Sequence, residues 1–94
     1  MPTASRDTII RNRLGLHARP AMQFVELANQ FKSDVRVLAL NGQSNQADGK
    51  SVMQMIVLAA TEGTLLRITA SGEDAGAAIE RLVMLVESGF GEDE

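Results

Sequence analysis

Two segments of this chain carry compact apolar residues at every second position. Val35, Val37 and Ala39 interleave with Arg36, Leu38 and Leu40, and Leu66, Ile68 and Ala70 interleave with Leu65, Arg67 and Thr69. A period of two puts each set on one face of a strand. The remaining periodic apolar patterns are helical. Phe24, Leu27, Ala28 and Phe31 fall at i, i+3, i+4 and i+7, and Ala75, Ala78, Ile79, Leu82 and Val86 line one face of a second stretch. Strands with one apolar face and helices with one apolar stripe must cover each other. A chain of 94 residues has room for one such core, built from two layers. The pattern predicts an α+β domain, an antiparallel-rich sheet with helices on one face.

Turn chemistry supplies the order. The segment around Thr8–Arg11 reads as a first short strand, and from Ala21 the pattern turns helical, with Pro20 suited to a first turn. Asn41-Gly42 signals a hairpin, so a short antiparallel strand is expected at about 43–47, ended by Asp48-Gly49. Ser51 to Leu58 reads as a short helix, apolar on all sides, and Glu62-Gly63 as a turn before the Leu66 strand. Ser71 and Asp74 fit an S-x-x-D capping pattern, with Gly72 as the other candidate cap, and Gly89 suits a helix stop. The order is β-α-β-β-α-β-α in a single domain, 1–94, with disordered tips expected at 1–5 and 91–94.

Composition removes several function classes. There is no cysteine, and one histidine without an HxxxH spacing argues against a transition-metal site; no cofactor is expected. The first fifteen residues lack the apolar run of a signal peptide, and MIVLAA at 55–60 is too short to span a bilayer, so a cytoplasmic protein without membrane insertion is expected. Residues 1–47 hold six Lys/Arg against three Asp/Glu, and residues 48–94 three against nine. The basic half suits an acidic partner or a phosphate. Its basic residues are too few, and no aromatics interleave them, for nucleic acid.

The single histidine, His17, lies in GLHARPA at 15–21, at the strand-to-helix junction. The unpaired N–H groups at a helix start attract anions, and the backbone of Ala18 and Arg19 is the candidate phosphate-binding segment. Arg19 can pair with phosphate in a fork, Gly15 permits unusual backbone, and Pro20 sets the entry to the helix. These parts fit a histidine that carries a phosphoryl group; a capping histidine without chemistry is the plainer alternative. An enzyme using His17 as a base ranks last, because no partner carboxylate, metal motif or cofactor loop accompanies it. GKS at 49–51 resembles the end of a nucleotide-binding P-loop, but Ser44 stands where that pattern needs glycine. Ser51 itself reads as an N-cap. Val52, Met53 and Ile56 fit either core or an exposed apolar patch.

The stretch LGLHARPA closely resembles the active-site motif of HPr, the histidine-containing phosphocarrier family of the bacterial sugar phosphotransferase system. The likeness continues through NG at 41–42, GKSVM at 49–53, LAATEGT at 58–64 and ITASGED at 68–74. The resemblance implies an open-faced β-sandwich, a four-stranded antiparallel sheet with three helices on one face. It implies a phosphoryl group on Nδ1 of His17, positioned by Arg19, received from enzyme I and passed to enzyme IIA components. It further implies regulatory phosphorylation of Ser51 by HPr kinase/phosphorylase, as in many relatives, and a docking patch at Val52, Met53 and Ile56. A monomer is expected. A regulatory module of the nitrogen-linked phosphotransferase branch, acting mainly by protein contacts, is the alternative. Many relatives place Asn or Ser three residues before the histidine; here Leu14 stands there, and Asn12 lies two residues earlier. The connection from His17 to Ser51 is also a few residues longer than in familiar members.

Overall fold

The computed structural model describes residues 2–40, 46–58 and 60–91. Seven elements follow in the expected order: β1 (Thr3–Ile9), α1 (Ala18–Ala28), β2 (Asp34–Ala39), β3 (Gln46–Asp48), α2 (Val52–Val57), β4 (Leu65–Ser71) and α3 (Ala75–Glu87). A 3-10 turn at Gly89–Gly91 follows. The strands form one sheet, ordered β1-β4-β2-β3, with every neighbouring pair antiparallel. The last long strand thus threads between the first two.

The register explains the layering. Val37 lies opposite Ile68 and Ala47, and Val35 opposite Ala70, so the period-two residues of neighbouring strands share one face. That face is buried against helices: α3 lies along β1 and β4, and α1 packs on α2 and α3. Phe24, Met55, Ile68 and Leu82 are fully buried in the shared core. On the other face Asp7 and Arg67 lie directly opposite each other, and Arg67 Nε and Nη2 donate to the two carboxylate oxygens of Asp7 at 2.8 and 3.1 Å. Those hydrogen bonds, with the adjacent positive charge, hold the Asp7 carboxyl below its usual range.

Three expectations need correction. The first strand runs earlier than Thr8–Arg11, and Thr3–Ser5, expected in a disordered tip, pair with Thr69–Ser71 as its first half. Local pattern hides it because TASRDTI contains only one buried residue, Thr8. Helix α1 begins at Ala18, a turn's width before Ala21, because His17 is its N-cap. Ser71 is the last residue of β4, not a cap, and the Asp74 side chain makes no capping bond at α3. Instead Asp74 turns to the α1–β2 connection, accepting from Lys32 N–H at 2.8 Å, Ser33 N–H at 2.9 Å and the Ser33 hydroxyl at 2.5 Å. The Ser33 hydroxyl, then the Lys32 amide, lower the Asp74 carboxyl's pKa. Gly72 permits this approach: a Cβ there would stand 2.6 Å from Ser33 Oγ. The hairpin at Asn41-Gly42 and the expected strand residues 43–45 lie outside the described residues; β3 itself runs to Asp48. Gly89 does stop α3, taking a left-handed φ of 70° just after the C-cap Ser88.

Candidate functional site

His17 occupies the N-cap of α1 with extended backbone (φ −81°, ψ −170°), and its side chain makes no capping bond. His17 is half-buried, while Ala18 and Arg19 are exposed. The His17 carbonyl accepts from Ala21 N–H at 3.0 Å, closing the first turn. Among the described residues no carbonyl accepts from the N–H of Ala18 or Arg19, and Pro20 has none to offer. Two donors and a guanidinium therefore stand at the positive end of an eleven-residue helix. Arg11, Arg13 and Arg19 are all exposed, and no acidic residue occurs from 8 to 25. The basic character of the first half is thus concentrated around the imidazole.

The loop carrying His17 is built on the connection from α2 to β4. Leu16 is buried, and its N–H donates to the Ala60 carbonyl at 2.9 Å. Gly15 has φ +70°, and a Cβ at that position would lie 2.5 Å from the same carbonyl oxygen and 2.9 Å from Thr61 Cα. No other residue fits there without moving the backbone. Ala60 and Thr61, distant in sequence, are therefore the platform under the Gly15–Leu16 segment that leads into His17.

Ser51 caps α2, its Oγ accepting from Gln54 N–H at 3.2 Å. Gln54 reaches back to accept from Asp48 N–H at 2.8 Å, so S-x-x-Q works much as a capping box. The sequence holds that signal at 51–54. Gly49 crosses close over Val35 and Phe24, where a Cβ would meet Val35 Cγ1 at 2.5 Å. Lys50 Nζ donates to the Phe31 carbonyl at 2.7 Å, beyond the end of α1.

Of the three α2 residues expected at an interface, Met53 is 72% exposed and Ile56 37%, whereas Val52 is partly buried against the core. Val57, at 73%, is the most exposed apolar residue of α2, and sequence reasoning missed it. Met22 was also missed; it is exposed and stands three residues after Arg19, on the same side of α1. Leu14, next to the histidine loop's glycine, is 69% exposed. Only Met55 of α2 is fully buried. No cluster of metal-ligating side chains occurs among the described residues. No helix among them is long and apolar enough to cross a membrane.

The family model PTS-HPr, described as the PTS HPr component phosphorylation site, matches residues 4–88. The phosphocarrier protein NPr of Proteus mirabilis is 45% identical over 97% of this chain and 99% of its own length. The phosphocarrier protein HPr of Neisseria meningitidis serogroup A is 41% identical over 90% of this chain and 92% of its own. The crystal structure of HPr-C-His from Thermoanaerobacter tengcongensis superposes with a TM-score of 0.84 at 37% identity, covering both chains completely. A four-stranded antiparallel sheet with three helices, a histidine at a helix N-terminus and this similarity along the chain have one reading: the protein belongs to the HPr family of phosphocarriers of the phosphotransferase system.

Proposed function

We propose that His17 is the phosphoryl acceptor and that the chain relays the group from enzyme I to enzyme IIA components in the cytoplasm. The observation that carries this is the placement of half-buried His17 at the N-cap of α1, beside two donor N–H groups and Arg19. In the tautomer with hydrogen on Nε2, Nδ1 has a lone pair. That lone pair forms the new N–P bond as the bond from phosphorus to its donor atom on enzyme I breaks, its electron pair leaving with that atom. No water, redox step or metal is needed. The Ala18 and Arg19 N–H groups and the Arg19 guanidinium hold the phosphate oxygens, acting most strongly where charge develops. The protein is an intermediate of transfer, and its partners supply the catalysis.

Met53 and Ile56, with Val52 beneath them, form the docking patch on this reading, and Val57 extends it. Ser51 is a regulatory site for a kinase of the HPr kinase/phosphorylase type, at the rim of that patch. The protein works as a monomer. The test is incubation with enzyme I and radiolabelled phosphoenolpyruvate. Label that is acid-labile, alkali-stable and dependent on His17 supports the reading; absent or alkali-labile label overturns it. The nitrogen-linked regulatory reading stands beside the sugar reading because identity to the NPr relative exceeds that to the HPr relative. Transfer to purified enzyme IIA domains of each branch separates the two.

A further inference from the structure

Asn12 is absent from the expected site, yet it is one of the largest fully buried side chains, at 2% exposure. It lies in the loop between β1 and α1. Its Nδ2 donates to the Gly15 carbonyl at 2.7 Å, and Gly15 N–H donates back to the Asn12 carbonyl at 3.1 Å. The same Gly15 carbonyl accepts from His17 N–H at 3.0 Å. That second bond spans only two residues, the pattern of a γ-turn centred on Leu16, and such a turn has little hold of its own. The side chain of Asn12 gives the shared carbonyl another donor and so sets the plane of the Gly15–Leu16 peptide. On its other side Asn12 packs toward the end of α3, where a Cβ on Gly89 would lie 3.9 Å from Asn12 Cβ. The residue is a buried post between the C-terminal end of α3 and the turn that aims His17.

We propose that Asn12 is a positioning residue for phosphoryl transfer. Its amide fixes the Gly15–His17 turn so that the imidazole and the Ala18 and Arg19 N–H groups converge on one phosphate. The proposal rests on the reading of His17 as acceptor. The physical reason is the steep dependence of transfer on geometry, where a displacement of about 1 Å can cost roughly a hundredfold. Because Asn12 is buried and belongs to neither α1 nor α2, its loss acts on the transfer step and leaves docking alone.

The test uses the whole chain with enzyme I and phosphoenolpyruvate. Asn12→Asp keeps the size and removes the donor; Asn12→Ala removes the side chain. Both are expected to lower kcat for transfer about tenfold to a hundredfold, with KM for the carrier within about twofold. In 15N NMR spectra the His17 backbone amide and ring nitrogens should shift, while α2 resonances stay in place. An unchanged kcat in either folded variant, or a loss confined to KM, overturns the proposal. Should both variants unfold, the wild-type protein still decides: its Asn12 side-chain amide protons must exchange slowly with solvent, and exchange as fast as in an exposed asparagine overturns the proposal. Wild-type protein that takes no label on His17 removes the acceptor reading and this one with it; labelled wild type with fully active variants removes this one alone.

Discussion

At the scale of the residue, the roles proposed for His17 and Arg19 can be tested one at a time. The His17 side chain makes no capping bond and His17 lies outside the buried core, so His17→Ala should abolish labelling by enzyme I while the melting temperature stays within a few degrees. Circular dichroism and a melt, run beside the labelling assay, check both halves of that expectation. Arg19 is exposed at the first turn, so its variants should also fold. Arg19→Ala should slow transfer by roughly ten- to a hundredfold, in line with losing one preorganised charge stabiliser. Arg19→Lys should lie between, since lysine keeps the charge but loses the planar fork. Rapid-quench transfer rates test this, and equal rates for all three proteins would place Arg19 outside the site. Gly15 is a residue of a different kind. Its φ of +70° and the 2.5 Å approach to the Ala60 carbonyl oxygen leave no room for a side chain. Gly15→Ala should lower stability by about 1–3 kcal/mol through backbone strain alone, and should slow transfer because the loop must lift from its platform.

At the scale of the element, α2 shows how one short helix serves two ends. Six residues cannot hold a helix unaided. Here Ser51 satisfies Gln54 N–H, Gln54 returns a bond to Asp48 N–H, and Met55 drives into the core. That support lets Met53 and Val57 face solvent. Ser51→Ala should cost about 1 kcal/mol, seen as a fall of several degrees in Tm. Ser51→Asp keeps a capping oxygen and places negative charge where the helix favours it, so its melt should match the parent. Affinity for enzyme I should nevertheless fall, because the charge must be desolvated when the adjoining patch is covered. Full Ser51 phosphorylation, with roughly −1.5 to −2 charges at pH 7, should weaken it further. Calorimetric titration of enzyme I with the three forms tests this, and equal affinities would reduce Ser51 to a cap.

At the scale of the whole molecule, the sheet and helices are tied by contacts between residues far apart in sequence. Asp74 is the clearest. It joins the start of α3 to the Lys32–Ser33 connection, 41 and 42 residues away. Its hydrogen bonds, led by that of the Ser33 hydroxyl, lower its pKa in the folded state. A carboxylate so lowered binds its proton more weakly folded than unfolded. Its contribution is complete above the ordinary carboxylate range and disappears as pH falls through the folded value. Thermal melts of the wild type should therefore drop on acidification below about pH 4. Asp74→Asn should melt lower at neutral pH and show a shallower acid slope. Some slope must remain, because Arg67 lowers Asp7 in the same sense. An identical acid profile for the two proteins would remove Asp74 from the acid response.

What the chain determined by itself is whatever its local chemistry encodes. Period-two spacing marked β2 and β4, helical spacing marked the buried face of α3, and Ser51 and Gly89 were readable as cap and stop because a cap bonds within its own turn. His17 could be placed at a helix start for the same reason. Tertiary structure decided what depends on partners remote in sequence. Strand β1 is almost featureless as a pattern and exists because β4 pairs with it. Asp74 looked like a cap until the Ser33 and Lys32 donors, brought across by the fold, took its carboxylate. Gly15 is obligatory because Ala60, 45 residues later, lies against it. Asn12 reads as an ordinary loop residue in the sequence; burial between the His17 turn and the end of α3 gives it a role. Periodicity reports which face of an element is apolar, but only the closed fold determines which polar atoms meet across it.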